Sequence, residues 1–258
     1  MGRLKPDRED AMRALLLAAA LFAAAPAIAQ EKFVSSNVDT RTLLDFKVSD
    51  AALKKMLPAG WDVEPRAGGA NLRVTLVDPQ MVNNAEGKPV DPVRVISLGV
   101  PVRKSGTDVR ANMVIAGYVS SAKAAPGPYG LYGPARAQVE RSIRSDVEGV
   151  SNVQETWAFT GDDGGTAQIQ LQYVRGLPAK QKVDGNVYSA AKPEFYRIYR
   201  FEMAADVLRG PDGAADRLRT FSFKAAGGKV GGLLDGSEQL ISATSVPWYS
   251  RQVFLPGS

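Results

Sequence analysis

The chain of 258 residues has neither cysteine nor histidine. Thiolate nucleophiles, disulfides, imidazole bases and soft-metal sites are therefore excluded. Acid, base or covalent chemistry is left to Lys, Asp, Glu, Tyr, Ser and Thr, with Arg as a fixed cation. No dense run of like charge is present either: 32 basic against 27 acidic residues give a formal charge of +5, with the arginines scattered, as at Arg94, Arg103, Arg110 and Arg200. That distribution is a solvated mixed surface, and nucleic acid is not an expected partner. Metal binding falls to carboxylates and carbonyls, whose spacing argues for none. No cofactor is implied.

Only one apolar run stands out, and it is at the N-terminus. Arg8 and Arg13 precede Ala14–Ala25, and Ala27-Ile28-Ala29 supplies the small-x-small pattern of a signal-peptidase site before Gln30. Residues 1–29 are read as a cleaved signal, with Met1 or Met12 as the start, and residues 30–258 as one periplasmic or secreted domain. The run is too short for comfortable bilayer spanning, so no stable membrane insertion is expected after cleavage. Four basic and three acidic residues lie in 1–29, so the remainder carries one positive charge fewer than the whole. An exported chain without disulfides must rest on its core, and this length supports a single sizeable one.

Alternating, β-rich segments fill the domain, among them Asp39–Val48, Asn71–Asp78, Val93–Val102, Val109–Val119, Val153–Phe159, Ala167–Val174 and Glu194–Met203. Leu218–Phe223, Gln239–Val246 and Ser250–Leu255 add three more. Gly161-Asp162-Asp163-Gly164-Gly165 is a hairpin turn, since its spacing lacks the alternating oxygen ligands of a calcium loop. Ser49 caps a short helix over Asp50–Leu57 that ends at Pro58 and Gly60. Ala135–Glu148 is read as a second helix from Val139, Ile143 and Val147 at steps of four. The glycine-rich Lys224–Gly236 is read as a turn joining strands.

Three patches carry a resemblance. They are "LPAGW" (Leu57–Trp61) after a strand and short helix, "YGLYGPARA" around Pro134, and "DGSEQLISATSVPWYSRQVFLP" (Asp235–Pro256). In this order, from about Arg41 to Pro256, they resemble the acetoacetate decarboxylase family. The resemblance implies a mainly β fold: a single antiparallel β-barrel with a few short helices around a small-molecule cavity. Family members use a lysine as Schiff-base nucleophile towards a β-keto acid, with a neighbouring cation lowering its pKa, a case among the standard examples of amine activation. When Pro134 is matched to the family's proline, Ala135 stands at the Schiff-base lysine and Arg136 at its partner. Ala135 has no nucleophile and Arg136 keeps its proton. The family's acidic helpers are not evident in Val93–Arg103.

The resemblance leaves a cationic pocket, and no catalytic residue is assigned. Arg136 and Arg41, the latter near a pocket arginine of the family, are candidate carboxylate donors, or surface residues whose stems cover apolar neighbours. Tyr129 and Tyr132 either line the cavity or pack on the barrel wall. Trp61, Trp157 and Trp248 read as core or rim packing. Three functions follow in order. The first is a barrel binding a small organic acid, such as a keto acid, without Schiff-base decarboxylation, with Arg136 pointing inward. The second is an active carbon-carbon lyase using a lysine from elsewhere, Lys104 and Lys123 being nearest in sequence. The third is an envelope β-protein with a filled barrel that binds a macromolecule. Exposed edge strands make a homo-oligomer the default.

Overall fold

The structure is a computed structural model that describes residues 30–213 and 215–257; the export signal proposed for residues 1–29 lies outside them. Twelve strands form a continuous hydrogen-bonded array. In chain order the elements are β1 (Lys32–Lys47), α1 (Asp50–Met56), β2 (Trp61–Val63), β3 (Leu72–Asn84), β4 (Val95–Lys104), β5 (Arg110–Val119) and β6 (Tyr132–Ser145). They continue as β7 (Ser151–Gly161), β8 (Thr166–Val174), β9 (Ala179–Ser189), β10 (Tyr196–Arg209), β11 (Leu218–Ala226), α2 (Gly228–Gly231) and β12 (Gln239–Leu255).

Seven of these strands close a ring in the order β5-β9-β10-β12-β1-β3-β4, with β4 returning to β5. The other branch, β6-β7-β8-β11, is an antiparallel sheet that leaves the ring at β5. The mainly β barrel expected from the sequence is present. It is not wholly antiparallel, because β5 pairs in parallel with β6 and with β9, over three residue pairs each.

The second sheet explains where the core sits. Its inner face alternates strictly, with Ala167, Ile169, Leu171 and Tyr173 of β8 buried while Gln168, Gln170 and Gln172 face out. That apolar face packs against the outer surface of the ring, where Leu44, Phe46, Leu76, Ile96 and Leu98 are buried; Phe46 meets Phe223 edge-on at 5.4 Å between ring centroids. Each such side chain contributes about 1.5–3 kcal/mol when fully buried. Because this core lies between the ring and the sheet, the ring interior is free to hold polar side chains. One buried acid fixes the layers together. Glu155, 1 % exposed, accepts hydrogen bonds from Thr42, Trp157 and, at 3.2 Å, Arg141.

Two sequence expectations are corrected. Ala135–Glu148 is no helix: β6 runs to Ser145 and pairs with β7 from Ala135–Gly161 to Ser145–Ser151. A step of four fits a period of two as well as a helical turn, and the β7 ladder satisfies the backbone. Lys224–Gly236 is more than a turn, since the end of β11 and the one-turn α2 lie within it. Gln239–Val246 and Ser250–Leu255 are two parts of the single long β12. The Ser49 cap is observed, its hydroxyl accepting from Ala52 N at 3.4 Å.

Candidate functional site: an arginine-lined cavity

The ring encloses a cavity of about 610 Å³. Inward-facing residues of β1, β3, β4, β5, β9, β10 and β12 line it, together with the loop before β6 and Arg66 from the segment after β2. That loop is "PGPYGLYG", and its composition has a steric cause. Gly127 has φ +70°, and a Cβ there would lie 2.5 Å from the Tyr132 ring, so only glycine lets the loop fold down onto that ring. Tyr129 and Tyr132 are thereby buried in the cavity wall, 6.2 Å apart and edge to face. Tyr132 shares a 3.0 Å hydrogen bond with Ser97, and Tyr129 shares one with Tyr199. Burial, ahead of their neighbours' charges, pushes both phenols well above the ordinary tyrosine value. At neutral pH they act as neutral hydroxyls.

Six arginines line the cavity: Arg41, Arg66, Arg73, Arg110, Arg197 and Arg251. They form two groups along the barrel. At one end Arg73 grips Asp45 through two 2.7 Å bonds, and the exposed Arg110 pairs with Glu64 at 3.0 Å. Burial works against the Asp45 carboxylate, but its bonds to Arg73 and the charges of Arg73 and Arg66 outweigh that and hold it below the ordinary value. Arg66 at this end, and Arg197 on β10, which lies beyond Arg251 in the strand register, have no ion pair among the described residues. Arg66 Nη2 makes one long contact, 3.4 Å, to Asn112, and the Nε of both arginines is buried without a partner. Burial first, and then the like charge of Arg73, lowers the Arg66 pKa to about 10.

At the other end Asp39, 1 % exposed, takes two bonds from Arg41 at 2.6 and 2.9 Å and a further bond from Asn37. Arg41 lies over the Tyr249 ring at 3.4 Å and Arg251 over the Tyr199 ring at 4.2 Å. Arg251 Nε donates to Asn37 at 2.9 Å, and its Nη groups have no hydrogen bond among the described residues. Burial opposes the Arg251 charge, yet the facing tyrosine oxygens and Asp39 more than offset it.

The structure brings Arg41, Tyr129 and Tyr132 together in one cavity and leaves Arg136 out. After Pro134, β6 leaves the ring, so Ala135 turns into the inter-layer core and Arg136, opposite Thr160 of β7, is exposed. The inward arginine at position 136 is thus replaced by Arg66, Arg73, Arg197 and Arg251, which sequence reasoning did not single out. Their signal was present in alternation. In "RIYRFEM" the inward positions are Arg197, Tyr199, Phe201 and Met203, an arginine in register with apolar residues. Lys104 lies outside the cavity, near Glu194 and the Trp61 ring, and Lys123 is exposed. Trp61 and Trp157 are buried and Trp248 is 40 % exposed.

The architecture matches solved structures. An acetoacetate decarboxylase covers 87 % of this chain and 87 % of its own at a TM-score of 0.50 and 9 % identity. The chain has the acetoacetate decarboxylase-like fold. An acetoacetate decarboxylase-like enzyme from Sphingomonas wittichii RW1 matches with a TM-score of 0.52 and 9 % identity over 88 % of this chain and 93 % of that one. The enduracididine biosynthesis enzyme MppR in complex with pyruvate matches with 0.51 and 10 % identity over 90 % and 91 %. No protein-family model and no curated protein matches the sequence. Within this acetoacetate decarboxylase-like barrel, the cavity lining contains arginines and tyrosines but no lysine, aspartate or glutamate among the described residues.

Proposed function

We propose that this protein is an exported receptor for a small organic acid, held as its anion in the barrel cavity and released unchanged, without Schiff-base decarboxylation. One observation carries the reading: six arginines face a cavity whose lining has no lysine or carboxylate, and two of them keep a buried Nε unpartnered. Guanidinium forks match a carboxylate bidentately, and an unpartnered buried donor is stabilised by an acceptor that arrives with the ligand. Covalent or acid-base work needs a group that gives or takes a proton near neutrality. Arginines and buried phenols do not. MppR, which shares the fold, was solved with pyruvate, and a small oxo acid is accordingly the first ligand class to try. An open cavity weighs against the filled barrel of a macromolecule-binding envelope protein. Export rests on the sequence of residues 1–29 and is checked by the N-terminal residue of the protein recovered from an envelope fraction, expected to be Gln30.

The test is calorimetric titration of the purified protein with pyruvate and acetoacetate, beside intact-mass measurement after acetoacetate and borohydride. The expected result is binding with no covalent adduct. A stable adduct on one lysine overturns the non-catalytic reading. A second hollow of about 500 Å³ outside this site, lined by Lys55 and Lys229, is where such an adduct would direct attention. Absence of binding to any carboxylate in folded protein overturns the receptor reading.

A further inference from the structure

From the make-up of the cavity wall we infer that the organic acid is an aromatic one, with its carboxylate at Arg66 and its ring against Tyr132, Phe201 and the guanidinium of Arg251. The inference rests on the receptor reading above and specifies its ligand.

Two parts of the wall differ in what faces the arginine charge. In the first, Arg73 and Arg110 have the carboxylates of Asp45 and Glu64. Arg66, close enough to feel the charge of Arg73, has only a long contact with an amide and a buried Nε without a partner. A carboxylate fits there. In the second part, cations lie on ring faces. Arg41, paired with Asp39, lies over Tyr249, and Arg251 lies over Tyr199. Phe201 stacks on Tyr249 at 4.9 Å, and Tyr129 meets Tyr132 edge to face.

Arg251 has no ion pair among the described residues, and its one hydrogen bond goes to the neutral amide of Asn37. Directly opposite it in the ladder of β10 with β12 is Phe201, half-buried and part of the cavity lining. A ligand ring laid here gives Arg251 a second aromatic face. The ring quadrupole attracts a guanidinium most where water is excluded, and a saturated ring offers no such face.

The register along β4 gives the span between the two parts. Asn112, which accepts the bond from Arg66, packs over Gly99, where a Cβ would lie 2.5 Å from its amide nitrogen. Ser97, two residues along, meets the Tyr132 hydroxyl at 3.0 Å. At a strand rise of about 3.3 Å per residue, these contacts are about 7 Å apart. The charges of Arg251 and Arg41 reach the Tyr132 phenol, so it stands where the two parts meet. A carboxylate joined to a six-membered ring directly, or through one or two carbons, covers that span, and a cavity of about 610 Å³ takes a ring-bearing acid.

The experiment is calorimetric titration with benzoate, phenylacetate and 3-phenylpropanoate, each against its cyclohexyl counterpart. The counterpart carries the same carboxylate on a more apolar ring, so burial of apolar area alone would favour it. At one chain length the aromatic acid is expected to bind about threefold to tenfold tighter than its counterpart, the factor an aromatic or cation–π contact supplies. Arg251→Met should remove that preference. Arg66→Met should weaken both members of the pair about tenfold or more and leave their ratio unchanged, and the exposed control Arg136→Met should change neither. Phe201→Leu, which keeps an apolar side chain and should also remove the preference, serves if Arg251→Met does not fold by circular dichroism. Equal or tighter binding of the saturated acid at every length, or a preference that survives the variant, overturns the aromatic site. Unchanged affinity in Arg66→Met overturns the placement of the carboxylate. Binding of pyruvate or acetoacetate by the same protein would in either case leave the receptor reading standing. Absence of binding by any carboxylate removes that reading along with this one.

Discussion

Asp39→Asn tests the buried carboxylate that holds Arg41 from behind the cavity lining. Asp39 is 1 % exposed and Arg41 8 %, and the carboxylate accepts two bonds from Arg41 and another from Asn37. The amide keeps the shape and removes the charge, so Arg41 is left as a desolvated cation facing a group with only one acceptor oxygen. Removing one partner of a buried pair costs about 3–5 kcal/mol. At about 2–4 °C per kcal/mol for a domain of this size, the melting temperature falls on the order of 10 °C. The contact of Arg41 with the buried Tyr249 ring persists and offsets about 2 kcal/mol of that loss. Thermal unfolding followed by near-ultraviolet circular dichroism, without carboxylate buffers, measures the loss. A carboxylate ligand then substitutes for the missing charge, and its addition should stabilise the variant more than the wild type. A drop below about 1 kcal/mol, the scale of an exposed ion pair, would refute the claim that this end is desolvated.

Arg66→Met removes a cation that burial and Arg73 disfavour; it should raise the melting temperature by a few degrees in buffer and abolish stabilisation by added carboxylate. In the wild type the Arg66 pKa is lower folded than unfolded, so its penalty is present below pH 10 and relieved as the pH rises through about 10. Over that same rise carboxylate binding should weaken, as calorimetry at increasing pH would report. Asp45 has its pKa lowered below 3.8, so its contribution is present above that value and lost as the pH falls through the folded one. The urea midpoint of the wild type should drop more steeply in that acid range than that of Asp45→Asn, which should be about 3 kcal/mol less stable at neutral pH. Gly127→Ala should cost about 2 kcal/mol or more from its positive φ and its clash with Tyr132. A urea midpoint equal to the wild type's would show that the loop yields without cost.

Strands were legible where alternation was clean, as in β8 of the second sheet, and α1 was legible from Ser49 and Pro58. β6 was not, because the four-residue step from Val139 to Ile143 is two strand periods and also close to one helical turn. The discriminating positions are Ser142 and Asp146, three residues further on and polar where an amphipathic helix would be apolar. β9 escaped notice for a different reason. "AKQKVDGNVYS" has few β-formers and Gly185 at its middle, and its first six residues are exposed; its register with β10, from Tyr196–Tyr188 to Ala205–Ala179, supplies what its own residues do not. For the site, Arg41, Tyr129 and Tyr132 could be named from local pattern and resemblance. Arg66, Arg197 and Arg251 come from three distant segments, and only ring closure brings them into the lining of one cavity. Arg136 was misplaced because the point at which β6 parts from β5 is a tertiary fact with no local signature.

The ring is fastened unevenly. β9 and β10 share ten residue pairs, whereas β5 and β9 meet over only three, Asn112–Val187, Met113–Tyr188 and Val114–Ser189. Around that overlap, Ala190 N donates to Val114 O at 3.0 Å and Ser189 Oγ to Tyr129 O at 2.7 Å. The barrel is therefore a belt with a short buckle. That seam is held by the fewest residue pairs in the ring, so it is where parting would cost the fewest bonds, while the long ladders of β1 with β3 and β12 run the length of the barrel. Asn112 belongs to the buckle and also accepts the bond from Arg66. Occupancy beside Arg66 and the tightness of the belt are thus tied through one side chain.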